Sequence, residues 1–290
     1  MSNRRILVTG ANGYIGTHVI KELLARGCEV VACDFEFDNL PQSITKLSVD
    51  IFNSDFDVYN MAGRPDNLIH LAWRNGFKHN AETHITDWPL HVNFLMRMID
   101  SGVKDISVMG SMHEVGYWEG AITEDTPTNP MSLYGVAKNA LRQVMEIIVK
   151  NTEVNFKWLR GYYIYGDDRK SNSVLGKILE AEERGQKEFP FTSGKNLYDY
   201  ISVDDLARQI VAASLQNEYH GIINCCSGKP ISLGEMAENF IKMHNLKIEL
   251  QYGVFPDRVY DSPGVWGDAD KINKIVDAEK KQPKISRSNK

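Results

Sequence analysis

An α/β protein, with a doubly wound parallel sheet and a smaller C-terminal α/β part, is expected from three features of the chain. Short β-branched runs alternate with amphipathic helical stretches through the first 160 residues. A glycine-rich turn joins the first strand to the first helix, and an aspartate closes the second strand. Alternation of this kind favours parallel strands linked by right-handed crossovers.

Residues 5–9 (RILVT) form a first apolar strand. Residues 14–26 place Ile15, Val19, Leu23 and Leu24 at helical spacing, with Gly27 suited to the stop. A second buried strand covers 29–34, and short strands are expected at 47–49 and 67–72. Residues 87–101 read as a helix with Leu90, Phe94, Leu95, Met98 and Ile99 on one side, ended by Gly102. A strand at 105–109, a long helix at 133–150 and a strand at 156–160 complete the regular part. After Gly166 the rhythm breaks into a polar loop (167–173), a helix (174–184) and an irregular stretch (185–196). A helix at 203–215 opens on Asp204 and Asp205. From Ser227 come a turn, a helix at 233–244, a strand at 247–251 and a Pro/Gly-rich stretch through Gly267. The last eleven residues, KKQPKISRSNK, read as a solvated basic end.

With 33 basic and 38 acidic side chains, the 290 residues carry a net charge of −5, and 42% of them are apolar. That composition supports a buried core and supplies no basic face for nucleic acid. No run approaches the roughly 18 apolar residues of a membrane helix. The start, MSNRRILVTG, has no apolar segment ending in a cleavage site, so a cytoplasmic protein is expected. Cys28, Cys33, Cys225 and Cys226 form no C-x-x-C pair and read as reduced apolar residues. His79, His84 and His91 make a loose series without metal-ligand spacing, so no metal is expected.

The turn Thr9-Gly10-Ala11-Asn12-Gly13-Tyr14-Ile15-Gly16 lies between strand and helix. Its glycines permit in turn a tight bend, close backbone approach to a pyrophosphate and close helix–strand packing. The phosphates then meet the helix N-terminus, whose N–H groups and dipole favour an anion. Asp34 lies 24 positions after Gly10, where a carboxylate can accept hydrogen bonds from an adenosine ribose. A 2′-phosphate there would face Asp34 and Glu36, with Phe35 supplying no positive charge. NAD is therefore expected over NADP.

Tyr134 and Lys138 stand one helical turn apart on one face. A phenol titrating near 10 is a poor acid–base group at neutral pH, and lowering it by roughly three units takes about 4 kcal/mol. Lys138 is expected to supply that field and to hold the nicotinamide ribose. Ser111 follows the fifth strand, whose C-terminal end faces the ligand crevice, and its hydroxyl suits a reacting oxygen.

These motifs, with Asp50-Ile51, His70-Leu71-Ala72, Asn93 and Arg160-Gly161-Tyr162-Tyr163-Ile164-Tyr165-Gly166, come in the order seen in extended short-chain dehydrogenases/reductases. More narrowly, the chain resembles the NAD-dependent epimerase/dehydratase family, whose members act on nucleotide-activated sugars. Residues 198–205 (YDYISVDD) resemble the family's R-D-Y-I-x-V-D-D, and 224–233 its N-x-x-S-G-x-x-x-S-L turn. The resemblance implies a Rossmann-type NAD-binding domain at 1–166, with 200–226 returning to it. It also implies a sugar-nucleotide part at 167–199 and 227–280, and a flexible tail at 281–290. Gly10, Asn12, Gly13, Tyr14, Ile15, Gly16, Asp34, Asp50, Ile51, Leu71, Ala72 and Lys138 are implied cofactor contacts. Ser111, Met112, His113, Tyr134 and Arg258 are implied substrate contacts, with Ser111, Tyr134 and Lys138 catalytic. Arg258 reads equally as a plain surface arginine, and Asn93 as either an active-site residue or one packed inside the sheet. Arg160 is expected to organise the site.

Three departures bear on the reaction. The acidic pair that the family's dehydratases carry after the serine or threonine is replaced by Met112-His113, with Glu114 one step further, which disfavours dehydration. The usual V-Y-G reads Val115-Gly116-Tyr117, and Tyr198 stands in place of the arginine. His113 is either a proton donor or an exposed loop residue. The expected function is C4 reduction of a 4-keto-6-deoxyhexose linked to a nucleotide diphosphate. A 4-epimerase holding its NAD tightly is the alternative, and an inactive NAD-binding regulatory protein a remote one. A homodimer through helices 87–101 and 133–150 is expected; the alternative is that both faces are spent on the sheet.

Overall fold

The computed structural model describes residues 4–166, 173–257 and 261–281. The first half contains β1 (Arg5–Thr9), α1 (Tyr14–Ala25), β2 (Glu29–Cys33), β3 (Thr45–Leu47), α2 (Val58–Met61), β4 (Asn67–His70), α3 (Thr83–Ser101) and β5 (Asp105–Ser111). A single 3-10 turn, Met112–Glu114, leads to β6 (Gly120–Ile122), α4 (Leu133–Val149), β7 (Asn155–Gly161) and β8 (Tyr163–Tyr165). Then follow α5 (Val174–Glu183), β9 (Glu188–Pro190), β10 (Leu197–Tyr198), β11 (Tyr200–Ser202), α6 (Val203–Leu215) and β12 (Gly221–Cys225). The chain closes with β13 (Ile231–Ser232), α7 (Leu233–Met243), β14 (Glu249–Gln251), β15 (Gly264–Gly267) and α8 (Asp270–Lys281).

Seven parallel strands stand in the order β12-β7-β5-β4-β1-β2-β3. The chain builds outward from β1 to β3 and then crosses to β4 on the other side. The switch point between β1 and β4 therefore opens a crevice at the C-terminal strand ends. The register aligns Thr9 with both Cys33 and His70, so the loops after β1, β2 and β4 converge there. Along β1, Ile6 and Val8 enter one core and Leu7 the other, as in a strand covered on both faces. Helices α1, α6 and α8 cover the first face, and α3 and α4 the second. This is the expected α/β architecture of Rossmann type.

A satellite core joins Leu175 and Ile178 of α5 to Met236 and Phe240 of α7, with Phe191 and Ile248. Asp199, fully buried between β10 and β11, fastens this part to the sheet. Its carboxylate accepts from Ser227 N (2.8 Å), Ser227 Oγ (2.6 Å), Gly228 N (2.9 Å) and Gly267 N (3.1 Å). Neighbouring Tyr198, in the place of the family's arginine, is itself buried. Its ring lies 4.6 Å from that of Tyr163 and 6.2 Å from that of Tyr200.

Several sequence expectations need correction. Helix α3 begins at Thr83, not Asp87, and carries Pro89 inside it, which removes the donor for the Ile85 carbonyl on the exposed face. Leu90 is 37% exposed rather than part of the apolar face; the buried side is His84, Asp87, His91, Val92, Phe94, Leu95 and Met98. Asn93 is exposed on α3, so it does not pack inside the sheet. The irregular stretch 185–196 contains β9, paired with β14. The Pro/Gly-rich region holds β15, and a helix follows it. Ile272 and Ile275 sink α8 into the sheet core, and Lys280 and Lys281, expected in the tail, form its last turn, where cations suit the helix dipole. Residues 282–290 lie outside the described residues. Among the described residues, no helix is long and apolar enough to cross a membrane.

Candidate active site

The candidate cofactor cradle is built from backbone. Gly10 takes φ +67°, and a Cβ there would come within 2.7 Å of Ala72 N, so the β1 loop touches the β4 loop only because the side chain is absent. Gly16 is held tighter still. A Cβ on it would land on the carbonyl oxygens of Gly10 and Ala11, which cannot swing aside. Gly13 precedes α1, and no side chain among the described residues caps that helix, so its first turn, from Tyr14 through Ile15 to Gly16, presents backbone N–H groups to an anion. Asp34 follows β2 directly, with one carboxylate oxygen accepting from Asn12 N (2.9 Å) and the other from Phe35 N (2.8 Å). Leu71 N donates to Thr9 O (3.1 Å), closing the base of the crevice. Further out, Asp50 is exposed and Ile51 buried, and the Ile51 carbonyl accepts from Arg97 Nη2 (2.6 Å). A Cβ-free loop, an uncapped helix start and a carboxylate at the second strand end fit a dinucleotide.

Ser111, Tyr134 and Lys138 come together at the end of β5. Ser111 is the last residue of that strand, and its hydroxyl hydrogen-bonds the Tyr134 phenol. Helix α4 is positioned at its start by Ser132 Oγ, which accepts from Gly135 N (3.1 Å), and by His79 O, which accepts from Tyr134 N (2.8 Å). Lys138 is buried, and its Nζ donates to Met109 O (2.7 Å). Burial pushes Tyr134 up to about 12, against the Ser111 hydrogen bond, and pushes Lys138 down to about 7, against the charge of Glu114. The expected lowering of the phenol by Lys138 is therefore not what this geometry gives. The ammonium turns to the Met109 carbonyl and the Trp73 ring, 5.9 Å from the centroid of the Tyr134 ring.

Glu114 stands behind the site rather than in it. It is fully buried, with Oε1 accepting from Ser111 N (2.6 Å) and both oxygens accepting from Trp158 Nε1 (2.9 Å). Arg160 Nη2 lies 3.4 Å and Arg142 Nε 4.0 Å from Oε2. Ser111 and Glu114 form a reciprocal capping box around the 3-10 turn. Met112 of that turn is buried in the core with Val115 and Ile122. His113 is no exposed loop residue. Its ring packs 4.4 Å from His79 and 6.1 Å from Tyr134, and burial pushes it down to about 4. Arg258 lies outside the described residues.

Sequence reasoning missed the aromatic and imidazole cluster beside Tyr134. His79 stacks on its ring at 5.4 Å and 12°, and His84 meets it edge-on at 5.3 Å. Trp73 stacks on His91 at 4.5 Å and donates Nε1–H to His84 Nδ1 (3.1 Å), which places the His84 ring proton on Nε2, facing Lys78 O at 3.0 Å. Beneath them Thr9 Oγ1, His70 and His91 form a buried chain of 2.7 and 2.8 Å contacts. Burial keeps both imidazoles neutral, pushing His70 well below its ordinary value and His91 down to about 3. The available signal was density: four histidines and two tryptophans between positions 70 and 91. Asp87, buried in α3, holds Arg74 through Nε (2.7 Å) and Nη2 (2.8 Å).

Residues 6–226 match the NAD-dependent epimerase/dehydratase family. A dTDP-6-deoxy-L-talose 4-dehydrogenase (NAD(+)) of Aggregatibacter actinomycetemcomitans is 47% identical over 269 residues, covering 90% of this chain and 98% of the relative. A putative UDP-glucose 4-epimerase of Methanocaldococcus jannaschii is 24% identical, covering 89% and 86%. Among solved structures, the UDP-N-acetylglucosamine 4-epimerase of Methanobrevibacter ruminantium M1, in complex with UDP-N-acetylmuramic acid, superposes with a TM-score of 0.82 at 20% identity, covering 95% and 92%. MoeE5, in complex with UDP-glucuronic acid and NAD, gives 0.77 at 23%, covering 94% and 92%. These two likenesses show the fold. The protein is an NAD-dependent enzyme and belongs to the NAD-dependent epimerase/dehydratase family.

Proposed function

We propose that the protein transfers hydride between NAD(H) and C4 of a dTDP-linked 6-deoxyhexose, interconverting the C4 alcohol and the 4-ketone. The observation that carries this reading is the 47% identity, over 98% of the relative's length, to a 4-dehydrogenase of such a sugar nucleotide. The epimerase relatives named above and in the same group reach only 20–26%. The burial of Glu114 away from the crevice supports the expectation that no water is eliminated.

In this reading, the Gly10–Gly16 cradle would hold the cofactor, which would supply the hydride acceptor for oxidation at C4 and, in its reduced form, the hydride donor for reduction. Tyr134 takes the O4 proton during oxidation and gives it back during reduction. Ser111 hydrogen-bonds the same oxygen and keeps it in line with the phenol. Lys138 supplies the positive charge that makes a phenolate tolerable once the site is filled. The parts 167–199 and 227–280 would hold the sugar nucleotide, fastened to the sheet by Asp199. A homodimer belongs to the same proposal. Ile85, Leu90 and Met96 on α3 and Val136 and Ile147 on α4 remain exposed after both helices have covered the sheet.

The test is absorbance at the NADH band, with purified protein, NADH and dTDP- and UDP-linked 4-keto-6-deoxyhexoses, and the reverse with NAD and the alcohols. Cofactor change in step with sugar consumed, for dTDP sugars, is the expected result. Sugar isomers appearing with no net cofactor change would make it a 4-epimerase, and neither change with any sugar would make it a binding protein.

A further inference from the structure

The ammonium of Lys138 has no carboxylate within hydrogen-bond reach among the described residues. Its hydrogen-bond partner is the Met109 carbonyl, and its Nζ lies 3.8 Å from the centroid of the Trp73 ring. The indole is fixed on three sides. Its face rests on His91 at 13°, its N–H is bound to His84, and its edge meets Tyr134 at 6.1 Å and 80°. We infer that Trp73 is a positioning residue, whose indole face carries the Lys138 charge beside Tyr134 in place of a carboxylate.

A cation over an indole face is attracted by the ring quadrupole, and the attraction grows when water is excluded. A carboxylate in the same place would pair with the lysine and cancel much of its field at the phenol, whereas a neutral ring leaves that field in place. The titratable groups facing Lys138 are Glu114 after β5, Tyr134 on its own helix, and His70 and His91 from β4 and α3. Both imidazoles are neutral and Glu114 is engaged by Trp158, Ser111 and Arg160, so the ring, with the Met109 carbonyl, is the close support for the charge.

The inference rests on the reading of Tyr134 and Lys138 as the proton-transfer pair, but its test needs no substrate. Protein labelled with 13C-lysine is titrated by NMR, with the Lys138 signal assigned by its loss in Lys138→Met. Trp73→Leu and Trp73→Phe are compared, since both lose the His84 bond and have similar bulk, and only Phe keeps a π face. The Lys138 midpoint, about 7 in the native protein, is expected to fall by roughly one pH unit in the Leu variant and by less in the Phe variant. The alkaline limb of the kcat/KM profile should move with it. Equal midpoints in all three proteins would overturn the inference, as would equal shifts in Leu and Phe. If the Leu variant does not fold, judged by near-ultraviolet circular dichroism and NAD binding, a Phe midpoint unchanged from the native one overturns it alone. A midpoint that falls as expected in a protein turning over no sugar nucleotide would keep the inference and remove the proposed reaction.

Discussion

Glu114 Oε1 accepts the backbone N–H of Ser111 at 2.6 Å, three residues back along the chain. The carboxylate thus sits under the residue that ends β5 and faces Tyr134, and it is bound in turn by Trp158 and Arg160. Burial raises its pKa while Arg160, the Ser111 N–H, Trp158 and Arg142 oppose that rise. Glu114→Gln would place an amide N–H₂ against these donors and strip the buried guanidinium of its partner. Breaking a buried pair in this way costs about 3–5 kcal/mol. Urea unfolding should show that loss, and an unchanged midpoint would mean that the guanidinium finds another acceptor.

Tyr134→Phe removes the hydroxyl and leaves the ring between His79 and His84. Turnover is expected to fall roughly 10²–10⁴-fold, the usual contribution of a positioned acid or base. NAD affinity, measured by fluorescence quenching, should stay within a factor of about two, because the cradle does not use that oxygen. Surviving turnover would move the proton-transfer role to another group, with His113 first in line.

Lys138 has a folded pKa of about 7 against an ordinary value of 10.5. Between those values the unfolded chain binds a proton that the folded chain lacks, so this group makes stability rise as pH climbs from about 7 toward 10. Lys138→Met should remove that slope. The difference in denaturation midpoint between native and variant proteins is expected to grow in favour of the native protein from pH 6.5 to 9. A constant difference would place the lysine pKa outside that window.

The exposed apolar residues of α3 and α4 lead to a prediction about assembly. Val136 and Ile147 stay exposed on α4, as Ile85, Leu90 and Met96 do on α3. Light scattering at micromolar concentration is expected to give about twice the 32.9 kDa chain mass. Ile147→Glu, at a position 74% exposed, should halve it without loss of helicity. A native protein already at the single-chain mass contradicts the dimer.

The local pattern of the chain determined most of the sheet and the glycine turn between β1 and α1. A buried parallel strand must be apolar on both faces, and a turn packed this closely on its own carbonyls and on Ala72 must lack side chains at Gly10 and Gly16, so both leave marks within a few residues. Helix α8 left a weaker mark, since only Ile272 and Ile275 are buried and, apart from Val276 and Ala278, its remaining positions are polar. Leu90 was misplaced for the opposite reason: an apolar residue on a helix does not say whether it meets the sheet, the solvent or a second chain. Around Tyr134, the residue types of the site were legible, but their mutual arrangement was not. Trp73, His79, His84 and His91 are scattered over nineteen positions of loop and helix, and only the packing of α3 against α4 brings the first three around one phenol with His91 behind Trp73. The protonation of that site was also settled by tertiary structure. The Y-x-x-x-K spacing puts two side chains on one face, but burial sets their charges, and the Met109 carbonyl and the Trp73 ring, neither of them near in sequence to Lys138, determine where its ammonium points.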